Sequence, residues 1–206
     1  MTGGGERRGA ELLYWVGKFI CGLLLRLFYG LRVYRAELVP ADGPLIVVAN
    51  HVSYLDPPVL GVAFPRRVYF MAKEELFRIP AFGWLLRGLG AFPVKRGVPD
   101  RRVIKRALAV LAAGEVLGIF PEGTRSKTGE LGEAEEGAAL LALRTGARLV
   151  PAGIRGTRGR GPVRVVFGPP VDGSDLNPKD RTSVKVLSQR IMDSIAALLE
   201  KADELD

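Results

Sequence analysis

Leu45-Ile46-Val47-Val48-Ala49 is an unbroken apolar run that stops at the polar pair Asn50-His51. A strand with one wet face alternates apolar and polar side chains. A run without alternation is covered on both faces, as parallel strands are when helices flank the sheet. Val68 to Ala72, Ala91 to Val94, Val116 to Phe120, Arg148 to Ile154 and Val163 to Phe167 read as further strands. Helical stretches lie between them. Asp56 to Val62 begins one, Arg101 to Ala113 follows an Asp100 cap, and Ala134 to Thr145 has a small-residue face. Glu75 to Arg87 reads as a helix that Pro80 bends or shortens by a turn. Thr182 or Ser183 opens a last long helix that runs to about Leu199. This order predicts an α/β fold with a mixed, mostly parallel central sheet flanked by helices. A length of 206 residues and 48% apolar content suit one domain with a substantial core.

The amino terminus stands apart. Met1 to Gly9 reads as a loose start, and Leu12 to Leu31 is rich in Leu, Phe, Ile, Trp and Tyr. Lys18 and Arg26 interrupt the run, and no small-residue cleavage site follows it. On a helical wheel Glu11, Lys18, Arg26 and Arg32 fall within a sector of about 120°. Trp15, Phe19, Ile20, Leu23, Leu24, Leu27 and Leu31 lie largely outside it. A wide apolar surface with a narrow basic stripe fits a helix lying in a membrane interface. The competing reading, an amphipathic helix packed on its own domain, leaves much of that surface uncovered. Gly17, Gly22 and Gly30 allow a break into two shorter helices. Residues 1–36 are expected to form this amphipathic, membrane-associating segment, and residues 37–206 the main domain.

A formal net charge of +8 permits nucleic acid, an anionic membrane surface or an anionic substrate as partner. Arg66, Arg67, Arg78, Arg87, Arg101, Arg102, Lys105 and Arg106 are candidates for a basic, membrane-facing field. No basic-aromatic recognition module is visible, so nucleic acid is not expected. One cysteine, Cys21, and one histidine, His51, exclude a disulfide framework and disfavour a structural zinc site. No cofactor and no metal are expected.

Three strand-end loops carry chemistry-bearing residues. They are Asn50 to Asp56, Gly90 to Gly97 and Phe120 to Ser126. In an open α/β sheet such loops converge beyond the carboxyl ends of the strands. His51 is the one histidine available as a general base, and Asp56 follows it by five residues. A carboxylate on one ring nitrogen fixes the tautomer and leaves the other nitrogen to take a proton. Ser53 is a local hydrogen-bonding candidate rather than a nucleophile, because no Gly-x-Ser-x-Gly elbow exists. Arg96 and Arg125 suit a phosphate. Glu122 supplies a second carboxylate, and Lys73 follows a strand end. A Walker-type phosphate loop is absent.

Asn50-His51-x-x-x-x-Asp56 together with Phe120-Pro121-Glu122-Gly123-Thr124-Arg125-Ser126 closely resembles the glycerolipid acyltransferase family. Gly90 to Gly97 looks like the family's second block and Val150-Pro151-Ala152-Gly153-Ile154 like its fourth. The resemblance runs from about Leu38 to Phe167, and the amino terminus resembles the family's paired membrane-associated helices. It implies an acyltransferase domain over residues 37–206. It implies acyl transfer from an acyl-CoA or acyl carrier protein to the sn-2 hydroxyl of 1-acyl-glycerol 3-phosphate (lysophosphatidic acid), giving phosphatidic acid. His51 would be the base and Asp56 its orienting partner. Arg96 and Arg125 would hold the acceptor phosphate, and Glu122, Gly123 and Thr124 would lie at the acceptor, with Lys73 a secondary candidate. The enzyme would sit as a peripheral or monotopic protein on the cytoplasmic face of the cell membrane. Another lysophospholipid or glycerol 3-phosphate as acceptor is the alternative within the family. A nonenzymatic lipid-binding protein is the alternative outside it.

Overall fold

A computed structural model describes residues 3–95, 100–159 and 161–205. The chain begins with helix α1 (Gly3–Tyr29) and the short strand β1 (Arg32–Tyr34). The alternating part follows as β2 (Leu45–Ala49), α2 (Asp56–Ala63), β3 (Val68–Lys73), α3 (Pro80–Gly88), β4 (Ala91–Val94) and α4 (Arg101–Ala112). It continues as β5 (Val116–Ile119), α5 (Gly137–Thr145), β6 (Arg148–Arg155), β7 (Arg164–Phe167) and α6 (Arg181–Asp203). Among the described residues seven strands form one sheet in the order β1-β7-β6-β2-β5-β3-β4. All neighbours are parallel except β6 and β7, so β7 and β1 run against the other five. The sheet is mixed and mostly parallel, as the strand pattern predicts.

β2 lies at the centre, between β5 and β6, with Val48 opposite Ile119 on one side and Pro151 on the other. Its five side chains divide between two cores. Leu45, Val47 and Ala49 pack with α2, Leu25 of α1 and residues of β6 and β7. Ile46 and Val48 pack with α4, α5 and α6. All five are fully inaccessible. Each large aliphatic buried this way contributes about 1.5–3 kcal/mol. A polar residue anywhere in the run would meet one core or the other, which is why the sequence does not alternate there.

Helix boundaries follow local chemistry. Asp100 and Asp180 cap α4 and α6 by accepting from the backbone amides of Arg102 and Thr182. Pro80 splits the Glu75–Arg87 stretch, leaving a 3₁₀ turn over Glu74–Arg78 and starting α3.

The amino terminus differs from the expectation in three ways. α1 starts at Gly3, it is continuous rather than broken into two, and it ends before Arg32. Gly17 and Gly22 serve contact rather than a break. A Cβ at Gly17 would lie 2.7 Å from Leu89 beside α3, and one at Gly22 would lie 3.2 Å from Val62 of α2. The absent side chains let α1 approach both helices closely. Gly30 does end the helix, in the left-handed conformation at φ 56°. Arg32 then joins β1, a strand too short to stand out in the sequence, and its amide donates to the Val163 carbonyl at 2.9 Å. Lys18 turns inward to the Phe64 carbonyl, and burial lowers its ammonium to about 8. The outer face of α1 stays uncovered, with Phe19 72% and Phe28 75% exposed. Glu11–Tyr29 is long and apolar enough by length and composition to cross a membrane. That exposed face supports peripheral or monotopic membrane association.

The topology positions a site. The carboxyl ends of β2 to β6 share one edge. The chain leaves β2 through α2 on one face and β5 through α5 on the other. The crevice between β2 and β5 is therefore a topological switch point, where open α/β sheets bind ligands.

Candidate active site

Asn50 and His51 divide the work at the end of β2. Asn50 is a splice to β6: its amide nitrogen donates to the Ile154 carbonyl at 3.0 Å, and its oxygen accepts from the Ile154 amide at 2.8 Å. His51 carries the reactive ring, and the residue is 6% exposed. Beyond it the chain folds back. The Asp56 amide donates to the Ser53 carbonyl, and the Leu55 amide donates to the Ser53 hydroxyl. Pro57 and Pro58 sit in the first turn of α2, where a missing N–H costs nothing. The turn brings the Asp56 carboxylate under the imidazole.

Asp56 is fully buried and fully engaged. Its Oδ2 lies 2.9 Å from His51 Nδ1 and accepts the Val52 and Ser53 amides at 2.6 Å each. Its Oδ1 accepts the Thr157 hydroxyl at 2.7 Å. Such charge-assisted bonds offset the cost of burying a carboxylate. An ionised carboxylate only accepts, so Nδ1 carries the proton and Nε2 is left as the basic nitrogen. The ring plane is fixed as well. His51 stacks on Phe120 at 4.2 Å between centroids and 22° between planes, and Phe120 in turn stacks on Phe70.

The loop after β5 is clamped to the same histidine. Glu122 Oε1 accepts the His51 backbone amide at 2.7 Å, and Oε2 accepts the Gly132 amide at 3.1 Å. The Ser126 amide donates to the His51 carbonyl at 2.8 Å. Both polar groups of the His51 peptide are thus held by this loop. Glu122 acts on the backbone of the base. Gly123 makes the turn at φ 66°, a left-handed conformation that other residues adopt at a cost. Thr124 is exposed. Arg125 is half-buried, with its guanidinium 3.5 Å from the centre of the Tyr54 ring, which belongs to the His51–Asp56 loop.

Lys73 ends β3, on the far side of β5 from His51, and pairs with Glu75 at 3.4 Å on the surface. Arg96 lies outside the described residues. Lys95 before it reaches Glu74 at 3.7 Å, so the ends of β3 and β4 stand together. Ser53 is used by its backbone and as an acceptor, in keeping with its reading as a local hydrogen-bonding residue. Arg66 and Arg67 do not stand free in a basic field. Arg66 donates to the Gly114 carbonyl, and Arg67 lies over the rings of Tyr14 and Tyr69. Thr157 was not anticipated. It stands 101 positions from Asp56, in a loop whose basic residues draw the eye. Its one signal is that a polar residue follows a buried strand on the catalytic edge.

A mixed α/β sheet with a histidine–aspartate pair at its switch point, clamped by a Pro-Glu-Gly-Thr-Arg loop, defines an α/β acyltransferase. The chain belongs to the acyltransferase family, whose model matches residues 30–155. Among its relatives is the 1-acyl-sn-glycerol-3-phosphate acyltransferase of Bacillus subtilis, 34% identical over 195 residues that cover 89% of this chain and 95% of that protein. A chloroplastic 1-acyl-sn-glycerol-3-phosphate acyltransferase of Arabidopsis thaliana is 33% identical over 175 residues, covering 78% of this chain and 49% of the plant protein. The crystal structure of the 1-acyl-sn-glycerophosphate acyltransferase of Thermotoga maritima superposes with a TM-score of 0.77 at 29% identity. That match covers 100% of this chain and 85% of the other.

Proposed function

We propose that this chain transfers a fatty acyl group from an acyl-CoA or acyl carrier protein thioester to the sn-2 hydroxyl of 1-acyl-glycerol 3-phosphate, giving phosphatidic acid. The observation that carries this reading is the His51 ring tied to a fully buried Asp56 at 2.9 Å, in a chain with full-length relatives of that activity.

The acceptor hydroxyl gives its proton to His51 Nε2 as its oxygen attacks the thioester carbonyl carbon. Asp56 stabilises the imidazolium and holds its tautomer. The tetrahedral intermediate collapses, the carbon–sulfur bond breaks, and the thiolate recovers the proton from Nε2. The attack is direct, without an acyl-enzyme, and the scheme requires no metal. Arg96 and Arg125 bind the acceptor phosphate, because guanidinium groups match phosphate oxygens in a fork. Glu122, Gly123 and Thr124 border the acceptor at the clamp loop, and Glu122 also keeps that loop in register. Lys73 adds positive charge at the rim. Residues 1–36 hold the enzyme on an anionic membrane surface, at the cytoplasmic face of the cell membrane. Residues 37–206 carry the catalysis.

The test offers purified protein acyl-CoA or acyl carrier protein thioesters in mixed micelles, with lysophosphatidic acid, glycerol 3-phosphate and zwitterionic lysolipids as parallel acceptors. Phosphatidic acid is the expected main product. A faster reaction with a phosphate-free acceptor overturns the acceptor assignment, and turnover with none overturns the activity.

A further inference from the structure

The catalytic edge is flanked by two apolar projections, and α1 accounts for one of them. β1 runs opposite to β2, so the carboxyl end of α1, with Leu27 and Phe28, reaches the catalytic edge at the β1 end of the sheet. β3 runs parallel to β5 and so to β2, and its carboxyl end feeds a 3₁₀ turn into α3. Ile79 and the start of α3 therefore stand at the same edge on the β3–β4 side. Ile79 is 55% exposed, Phe82 42% and Trp84 63%. A water-facing helix has no reason to present an aromatic pair and an isoleucine.

The face of the sheet settles the direction. α2 packs on the same core as α1, and α3 lies against α1, where a Cβ at Gly88 would collide with Leu13. α1, α2 and α3 thus cover one face, and the bare surface of α3 continues that of α1. From Arg78 to Gly90 the sequence contains no carboxylate. Exposed Arg78 and Arg87 bracket the apolar residues, and Arg87 also lies over the Phe77 ring. Aromatic side chains between arginines suit the headgroup depth of an anionic bilayer.

We propose that α3 is a second bilayer contact, with Ile79, Phe82 and Trp84 entering the interface beside α1 so that the edge between them opens to lipid. This rests on the membrane association of α1. It explains how a crevice at the middle of the sheet meets a substrate that stays in the bilayer. One anchor would leave the domain free to swing about α1. Two contacts on either side of the crevice fix its orientation.

The chain holds two tryptophans, Trp15 on α1 and Trp84 on α3, so each contact has its own reporter. Trp15→Phe leaves Trp84 as the single emitter, and Trp84→Phe leaves Trp15. Each variant is titrated with vesicles of phosphatidylglycerol and phosphatidylcholine, with and without brominated phosphatidylcholine. The expected result is a blue shift and bromine quenching for both reporters. A Phe82→Ser/Trp84→Ser variant, whose changes are at exposed positions, should partition onto these vesicles about tenfold less than wild type. It should keep its activity on short-chain, monodisperse substrates. Trp84 emission that ignores vesicles while Trp15 is quenched overturns the second contact and leaves the α1 anchor standing. A Trp84 shielded only by self-association, seen as a dimer in sedimentation without lipid, also overturns it. Failure of the acyltransferase reading would show separately, as loss of turnover on monodisperse substrates.

Discussion

Asp56 is sealed from water and accepts hydrogen bonds from His51, Val52, Ser53 and Thr157, while Lys73 and Arg125 meet their partners near the surface. In the proposed reaction these two regions meet different physical needs. A general base works when its nitrogen sits within a fraction of an ångström of the proton it takes. Over-determination supplies that: removing any single donor leaves the others holding the carboxylate. A phosphate on a lipid arrives with the slack of a bilayer. Long side chains on exposed rims can follow it, and charge attracts it from a distance. The base region therefore resembles a small core, and the rim resembles ordinary surface.

Breaking the sealed region should produce the largest effects. His51→Ala removes the base and is expected to lower kcat by about 10²–10⁴-fold with the fold retained. Asp56→Asn tests charge apart from shape. The amide oxygen can keep the three donors now on Oδ2, and the amide nitrogen can face the Thr157 hydroxyl, which turns to accept. Geometry survives, but the imidazolium loses its counter-charge, so kcat should fall by about 10²-fold or more. Initial rates beside thermal melts check both variants. A Asp56→Asn enzyme with wild-type kcat would show that orientation alone suffices.

Thr157→Val sharpens the comparison. It removes one donor of four on Asp56 and leaves the backbone pair intact. Hydrogen bonds to charged groups contribute about 1.5–3 kcal/mol, but the remaining donors share the load, so kcat should fall about tenfold. KM should stay unchanged, and Thr157→Ser should restore kcat. A rise in KM instead would place Thr157 at the acceptor rather than behind the base.

What the sequence revealed follows the same division. β2, β5 and β6 were legible because strands buried on both faces cannot alternate, and the run Leu45–Ala49 states this directly. His51 and Asp56 were legible because one turn joins them. Thr157 was not, because a contact across 101 positions leaves no local pattern. The role of Glu122 was visible only in part. Its place in the motif marked it, but two backbone amides, from His51 and Gly132, show what its carboxylate holds. Gly17 and Gly22 read as breaks because glycine weakens an isolated helix. In the fold the same glycines bring α1 against its neighbours, and tertiary packing outweighs propensity.

The rim should yield smaller and more selective losses. Arg125→Ala removes one of the two guanidinium forks proposed for the phosphate and leaves the Tyr54 ring without its stacked partner. Loss of a charge-assisted bond in a partly wet site should lower kcat/KM for lysophosphatidic acid by about 10-fold, mostly through KM. The same variant should barely change kcat/KM for a phosphate-free lysolipid, which makes the ratio of the two the decisive number. An equal loss on both acceptors would mean that Arg125 supports the Tyr54 loop rather than the phosphate. Lys73→Ala marks the floor of the comparison. Its ammonium is exposed and shared with Glu75, and pairs this open to water contribute little, so kcat/KM should change by less than about fivefold. A loss as large as that of Arg125→Ala would bring Lys73 into the phosphate site. It would also extend that site from the β5 loop across the sheet to the end of β3.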